Sequence, residues 1–297
     1  MSENNININW YPGHMAKTKR QIIEDLKLID IVVEILDARI PISSQNPDIK
    51  EIIKNKTKIV ILNKSDLANE EENKKWISHF QSKQIPAILV DSVSGKGIET
   101  VLKKVEEIYQ TDNYEKKGRI GKSIRIMILG IPNVGKSSFI NRIAKRTTAQ
   151  VGNKPGVTRQ KQWIKVSDKI ELLDTPGVLW PKLGSEMVAF NLAFTGTIKE
   201  DILQTIEIGY QLLKILLKEY PQNLIERYKL EEQNFNCIMK NTQLVENEKI
   251  LEIMNLIGKK RGTLMAGGQV NQERVASILL EDFRSGRLGK ITLEKAE

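Results

Sequence analysis

The eight residues from Gly130 to Ser137, "GIPNVGKS", match the phosphate-loop pattern G-x-x-x-x-G-K-S. An apolar run, "IRIMILG" at 124–130, leads into them, and a helical stretch, "SSFINRIAKR", begins at Ser137. Such a chain must form a strand, a tight glycine loop and a helix N-terminus in succession, and that arrangement of backbone N–H groups binds phosphate. The pattern therefore predicts an α/β fold with a nucleotide phosphate site at the end of one strand.

Each position of this loop has a physical role in holding phosphate. Gly130 and Gly135 permit a tight turn whose backbone N–H groups surround the phosphates, with the positive end of the helix behind them. Lys136 is expected to reach the β- and γ-phosphates, and the hydroxyl of Ser137 is expected to bind Mg²⁺. The residues of this loop predicted to contact the nucleotide are Gly130, Asn133, Val134, Gly135, Lys136, Ser137 and Ser138.

Short apolar runs typical of buried strands occupy the first part of the chain, and polar helical stretches separate most of them. They are "IVVEILDA" (31–38), "KIVILN" (58–63), "IPAILVD" (85–91), "IRIMILG" (124–130) and "KIELLD" (169–174). Strands that alternate with helices predict a mostly parallel sheet with helices on both faces. The polar, glycine-containing segment 111–122 interrupts this alternation and is interpreted as a linker.

After Trp180 the strand-like runs give way to helical periodicity. Apolar residues recur at helical spacing in two stretches, 202–217 and 275–283. The chain is therefore predicted to contain an α/β domain at residues 1–182 and a small all-helical domain at residues 183–297.

Composition limits the classes of protein that remain. Charged residues make up 28% of the chain and hydrophobic residues 40%, which is typical of a folded globular protein. No apolar run is long enough to span a membrane, and "MSENNININW" lacks the layout of a signal peptide, so we expect a cytoplasmic protein. The single cysteine, Cys237, excludes an intrachain disulfide and is expected to be a small buried residue.

Two further segments are predicted to complete the phosphate site. Asp174, at the start of "DTPG", follows a strand and is placed to hold the Mg²⁺ shell, directly or through water. Gly177 can offer its N–H to the γ-phosphate without a side chain in the way. In "PGVTRQ" (155–160), Thr158 is the candidate switch threonine for both Mg²⁺ and the γ-phosphate.

Earlier in the chain, "NKSD" (63–66) supplies a means of choosing the base. The carboxylate of Asp66 can accept hydrogen bonds from the ring N–H and the amine of guanine, and adenine lacks this pair of donors. Asn63 is expected to brace the loop, and Lys64 to pack its stem along the nucleotide. "DSVSGKG" (91–97) is similar to a second guanine loop, in which the N–H groups of Ser92 and Val93 would contact the base.

In this order, with the base reader before the phosphate loop, the segments resemble those of a circularly permuted GTPase. The stretches "NWYPGHMAK" (9–17) and "DARIP" (37–41), with the helical tail, further resemble the ribosome biogenesis GTPase A (YlqF) family over essentially the whole chain. The resemblance implies a GTP hydrolase that binds the maturing large ribosomal subunit in its GTP form and leaves after hydrolysis. Permutation is physically reasonable because domain termini often lie close together and can be joined by a linker.

Catalysis is where the sequence departs from the familiar GTPases. Val178 follows "DTPG" where many GTPases carry a glutamine that orients the attacking water, so slow intrinsic turnover is expected, with Lys136, Thr158 and Gly177 acting on the γ-phosphate. The resemblance implies that His14 orients water and that Asn133 helps to bind K⁺. A histidine in a loop can equally well satisfy backbone groups, and that alternative stays open.

The charge balance favours a polyanionic partner. The net charge is +9 and the pI is near 9.3, and basic clusters occur in "GKKRGT" (258–263) and "FRSGRLGK" (283–290). These clusters are candidates for contacts with ribosomal RNA, although basic residues also favour solvated helix ends in any protein. Two other functions stay open, a GTP-dependent RNA-binding switch without significant turnover and a GTPase in tRNA modification. We expect the free protein to be a monomer.

Overall fold

The computed structural model describes residues 14–53, 56–111, 123–151, 163–175, 185–198 and 205–296. These residues form two compact units. The first unit contains the described residues up to 175 together with 294–296, and the second contains those from 185 to 293.

The first unit is built on one six-stranded sheet with the strand order β3-β2-β1-β4-β6-β5. The strands are β1 (Ile31–Asp37), β2 (Thr57–Asn63), β3 (Ala87–Val90), β4 (Ile124–Leu129), β5 (Trp163–Lys165) and β6 (Ile170–Leu173). All neighbouring pairs are parallel except β5 with β6. The predicted mostly parallel sheet is confirmed, and the addition is β5, which has too few residues to show a strand pattern in the sequence.

Helices cover this sheet. In chain order they are α1 (His14–Asp25), α2 (Pro47–Ile52), α3 (Glu70–Ser82), α4 (Ile98–Thr111) and α5 (Lys136–Val151), with a 3₁₀ turn at Leu26–Leu28 after α1. All seven residues of β1 are buried, and successive side chains of a strand point to opposite faces. Both faces of the sheet are therefore covered, as predicted.

The register of the parallel strands brings the functional loops to one edge of the sheet. Asp37 pairs with Asn63, and Asn63 pairs with Val90, so β1, β2 and β3 end side by side. β4 and β6 are parallel to them, and they lead into Gly130 and Asp174. Ligands of open α/β sheets bind outside the carboxyl ends of the strands, so this edge is the place to look for a site.

The second unit is all helical, as the periodicity predicts. Its helices are α6 (Glu186–Phe194), α7 (Thr205–Glu219), α8 (Pro221–Tyr228), α9 (Glu232–Lys240), α10 (Glu246–Arg261) and α11 (Gln272–Arg284). α7 and α11 pack closely, since a Cβ added at Gly209 would lie 2.4 Å from the Cβ of Ala276. The expectation that Cys237 is buried is wrong, because it lies on α9, where Phe235 supplies the buried contact and Cys237 is exposed.

The last residues of the chain return to the first unit. The carboxylate of Glu294 accepts hydrogen bonds from the backbone N–H groups of Ile42 and Ser43, and the indole N–H of Trp76 donates to its backbone carbonyl at 2.9 Å. Ala296 packs against the apolar cluster that contains Trp76. The predicted division into domains at residues 1–182 and 183–297 stays a prediction. Among the residues that the structure describes, no helix combines the length and apolar character needed to span a bilayer.

Candidate functional site

The phosphate loop connects β4 to α5 through a backbone that requires its glycines. Gly130, Asn133 and Gly135 have φ angles of +155°, +61° and +95°. A Cβ at Gly130 would lie 2.6 Å from the carbonyl oxygen of Ile35, and one at Gly135 would lie 2.2 Å from the amide nitrogen of Asn63. Both approaches are too close for any side chain, so the tight turn depends on glycine at these positions.

Lys136 begins α5 and lies across its own loop. Its ammonium donates a hydrogen bond to the carbonyl of Ile131 at 2.8 Å, and the residue is buried. Burial lowers the pKa of Lys136 to about 8, although the negative charge of Asp174 acts in the opposite direction. An anionic ligand would stabilise the protonated form of this lysine. The ammonium of Lys136 can therefore form an ion pair with a bound phosphate. Ser137 and Ser138 follow in the first turn of α5 with exposed side chains.

Asp174 extends from the end of β6 towards the same lysine. Burial raises the pKa of Asp174, while the charge of Lys136 and the N–H of Thr175 lower it. The hydroxyl of Thr175 donates to the carbonyl of Ile128 and so attaches this loop to β4. The hydroxyl of Ser137 and the carboxylate of Asp174 are oxygen donors of the kind that Mg²⁺ prefers, so the donor set fits the predicted ion.

Asn63 connects three loops with one buried side chain. Its amide nitrogen donates to the carbonyl of Val134 at 2.7 Å, which attaches the base-reading segment to the phosphate loop. Its amide oxygen accepts from the N–H of Ser92 at 3.2 Å and from the hydroxyl of Ser92 at 2.7 Å. The bracing role predicted for Asn63 thus has a physical basis, because this side chain joins both base-reading loops to the phosphate loop.

The other residues predicted to read the base, Lys64 and Asp66, follow Asn63 in the chain. Lys64 has a left-handed backbone with φ +58°, and its ammonium lies 2.9 Å from a carboxylate oxygen of Asp37. Asp66 is exposed; partial burial raises the pKa of its carboxyl, and the negative charge of Asp91 adds to this effect. The carboxylate of Asp66 therefore lies where a ligand can reach it.

In the second predicted guanine loop, two N–H groups already have protein acceptors. The N–H of Ser92 donates to Asn63, and the N–H of Val93 donates to the carboxylate of Asp91 at 2.8 Å. The side chain of Val93 is exposed. The predicted donation of these two N–H groups to guanine stays a prediction, and the internal hydrogen bonds show how the loop holds its shape.

Several predicted site residues lie outside the part of the chain described. Thr158 and Gly177 fall in 152–162 and 176–184, between described segments. His14 is the first residue of α1, and the description covers its backbone only. The roles predicted for these three residues stay predictions.

Two buried residues beside Lys64 were missed as site residues. Asp37 and Arg39 belong to "DARIP", which was used only as a mark of resemblance. The available signal was a pair of opposite charges, Asp37 and Arg39, at the end of a mostly apolar strand. A third missed residue is Arg142 of α5, whose guanidinium donates to the carbonyl of Ser94 in the second predicted guanine loop.

Together, a phosphate loop, an acidic loop opposite its lysine and a base-reading segment joined to it by Asn63 define a P-loop GTPase domain. Because β2 and β3 precede β4 in the chain, the domain is circularly permuted.

Comparison with known proteins identifies the family. A family model described as "50S ribosome-binding GTPase" matches residues 125–255. Ribosome biogenesis GTPase A of Bacillus licheniformis is 44% identical over 292 residues, which cover 98% of this chain and 99% of that protein. The chain belongs to the ribosome biogenesis GTPase A family and is a GTPase.

Solved structures agree with this assignment. The GDP-bound structure of YlqF from T. maritima superimposes with a TM-score of 0.68 at 25% identity, and covers 93% of this chain and 99% of that one. The GNP-bound structure of YlqF from T. maritima has a TM-score of 0.63 at 25% identity, and the match covers 95% of this chain and 99% of that one. The similarity therefore extends over both units of the chain.

Proposed function

We propose that this GTPase acts as an assembly factor for the large (50S) ribosomal subunit. It binds the maturing particle in its GTP form and leaves after hydrolysis that the particle stimulates. The observation that carries the nucleotide-dependent part of the proposal is the side chain of Asn63, which joins the predicted base-reading loops to the phosphate loop. The family's name and the model matched at 125–255 supply the ribosomal partner.

Nucleotide selection would depend on the two ends of the site. Asp66 would accept hydrogen bonds from guanine, while Lys136 and the N-terminus of α5 would hold the phosphates. Mg²⁺, bound by Ser137 and Asp174 with Thr158, would neutralise charge on the β- and γ-phosphates. The exposed side chain of Asn133 lies on a left-handed turn of the phosphate loop, where it would help to bind K⁺.

Slow turnover without a partner is part of the proposal. Val178 has no group that could orient water, so hydrolysis would depend on a residue from elsewhere in the sequence, for which His14 is the candidate. Binding to the ribosomal particle would then complete the catalytic arrangement and so stimulate hydrolysis.

In the helical unit, the basic clusters at 258–263 and 283–290 contribute unequally to a surface for ribosomal RNA. Arg261 and Arg287 hold the buried carboxylate of Asp282, and Arg284 donates to the carbonyl of Phe194. These three arginines therefore serve the packing of the unit. The exposed lysines at the end of α10, Lys259 and Lys260, are better placed to contact phosphates.

The experiment that tests the proposal is GTP turnover in potassium buffer, with mature and immature large subunits, with ATP as control substrate. We expect turnover to be slow alone, faster with particles, and absent with ATP. Equal turnover with and without every particle would contradict the assembly role.

A GTP-dependent RNA-binding switch without significant turnover is the second candidate, and Val178 is the observation that favours it. GTP-dependent binding to the particle with no stimulated hydrolysis would establish that function instead. Replacing K⁺ by Na⁺ in the same assay tests the ion proposed at Asn133, since equal turnover in both buffers would exclude it.

A further inference from the structure

A buried cluster of charges lies directly beside the base-reading segment. Asp37 ends β1, and Arg39 follows it by two residues, with both side chains 2% exposed. Lys64 joins them from the loop after β2, with its side chain 23% exposed. Neither Asp37 nor Arg39 has a role in the function proposed above.

The geometry uses both oxygens of the Asp37 carboxylate. Its Oδ1 accepts from the backbone N–H and the Nε–H of Arg39, each at 3.0 Å. Its Oδ2 accepts from the second guanidinium nitrogen of Arg39 at 2.9 Å and lies 2.9 Å from the ammonium of Lys64. Arg39 thus forms a bidentate salt bridge with Asp37, which fixes the plane of the carboxylate.

The electrostatics keep this carboxylate ionised. Burial raises the pKa of Asp37, but the charges of Arg39 and Lys64 outweigh that effect and hold the pKa well below its usual range. A buried ion pair is weak evidence of stability, since well-packed apolar residues often stabilise a core equally well. A fixed orientation for a third group is a better explanation for its presence.

The third group is Lys64, which needs such an anchor. Asp37 lies opposite Asn63 in the sheet, and the N–H of Ala38 donates to the carbonyl of Asn63 at 2.8 Å. The next residue, Lys64, takes a left-handed backbone conformation that non-glycine residues rarely adopt. This turn directs the side chain of Lys64 towards Asp37, whose carboxylate pairs with the lysine ammonium. Because both ends of the side chain are held, its methylene stem has a fixed position beside the predicted base-reading segment.

We propose that Asp37 and Arg39 are positioning residues for the guanine base. Asp37 anchors the ammonium of Lys64 so that the lysine stem forms a fixed apolar surface for the base, and Arg39 keeps Asp37 in place. The inference rests on the guanine-nucleotide site proposed above and is independent of the ribosomal partner. Because the stem would contact the base and not the γ-phosphate, GDP and GTP affinities should change together.

The chain contains a matched control on the same two strands. Glu34 of β1 pairs with Lys58 of β2 at 2.8 Å, and their side chains are 3% and 17% exposed. This pair has the chemistry of Asp37 with Lys64, but it lies within the strands instead of at their carboxyl ends. Loss of its charge tests what a buried pair contributes to stability alone.

The experiment measures dissociation constants for GDP and for a non-hydrolysable GTP analogue by calorimetry, together with thermal unfolding. Asp37→Asn should weaken the binding of both nucleotides by about tenfold, which corresponds to the coupling expected of contacting residues. Glu34→Gln should lower the unfolding temperature without changing either dissociation constant.

A double-mutant cycle with Lys64→Met shows whether Asp37 acts through the lysine. In the Lys64→Met background, Asp37→Asn should have no further effect on nucleotide binding. Additive effects of the two changes would overturn the inference, and so would equal weakening of binding by Glu34→Gln.

Two further measurements keep the test decisive. If Asp37→Asn does not fold, Arg39→Lys provides the test, because it keeps the positive charge but removes the bidentate salt bridge. It should weaken the binding of both nucleotides by about threefold. Unchanged affinity in Arg39→Lys would then overturn the inference. Failure of the unmodified protein to bind guanine nucleotides would instead overturn the nucleotide site itself.

Discussion

Each of the two units contains a buried carboxylate that pairs with arginine side chains, but the two carboxylates have different surroundings. In the first unit, Asp37 is held by Arg39 and Lys64 at the end of a strand. In the helical unit, Asp282 of α11 accepts hydrogen bonds from Arg227 and Arg287 and forms an ion pair with Arg261. A buried carboxylate paired with arginine therefore lies at the edge of the candidate site, and another lies between helices.

The partners of each carboxylate show what it holds in place. Arg227 is in α8 and Arg261 in α10, so Asp282 joins three helices that are distant in sequence. Asp37 has partners in its own loop and in the adjacent loop, and it determines the direction of one lysine side chain. We therefore expect Asp282 to contribute mainly to the stability of the helical unit, and Asp37 to contribute mainly to nucleotide binding.

Asp282→Asn should destabilise the helical unit by about 3 kcal/mol. A broken buried ion pair leaves unpaired charges, although the three arginines are partly exposed and can regain some hydration. Chemical denaturation followed by circular dichroism measures the loss, while calorimetry should show unchanged nucleotide affinity. A loss of nucleotide affinity as large as that of Asp37→Asn would break the comparison.

The same variant has a defined pH dependence. Burial raises the pKa of Asp282, but hydrogen bonds from Arg227 and Arg287 outweigh it and hold the pKa below its usual value. The stabilisation is therefore fully present above the ordinary aspartate pKa of about 3.9, and is lost as the pH falls through the lower folded value. The difference in stability between Asp282→Asn and the unmodified protein should shrink in that acid range. A difference that is constant from neutral to acid pH would contradict this origin.

Lys136 sharpens the comparison because its ammonium donates to a carbonyl instead of a carboxylate. Burial lowers its pKa to about 8, and bound phosphate should raise that pKa again. Since the ammonium is largely deprotonated by pH 9, GDP affinity should weaken by about tenfold between pH 7 and 9. Titration calorimetry across this range measures it, with Lys136→Arg as the control that keeps its charge. An equally steep decline in that variant would assign the effect to another group.

An exposed ion pair should give the smallest effect. Lys260 pairs with Glu231 at 3.0 Å on the surface of the helical unit. Lys260→Gln should change stability by less than about 0.5 kcal/mol, because surface pairs contribute little. If Lys260 contacts ribosomal RNA, the salt dependence of particle binding should decrease by about one unit of slope. An unchanged slope would remove Lys260 from the proposed RNA surface.

Much of this architecture could be predicted from local patterns. The phosphate loop was recognisable because the glycines, Lys136 and Ser137 must occur at set spacings along a strand, turn and helix. The parallel sheet followed from apolar runs that alternate with helices, since burial on both faces leaves a nearly continuous apolar signature. β5 was not predicted because three residues are too few to show the alternating pattern of a strand. The exposure of Cys237 could not be predicted because it depends on which face of α9 is buried in the helical unit.

Contacts between distant residues were beyond such reasoning. The amide of Asn63 reaches Val134, 71 positions away, and the carboxylate of Glu294 reaches Ser43, 251 positions away. No local pattern specifies which acceptor a buried donor finds, because the choice depends on strand order and register. The amino-acid sequence alone predicted the nucleotide-binding loops, since each motif consists of residues close together in the chain. The order of these motifs predicted that the GTPase fold is permuted. Only the tertiary structure could show that Asp37 holds Lys64, because parallel pairing of β1 and β2 brings their ends together.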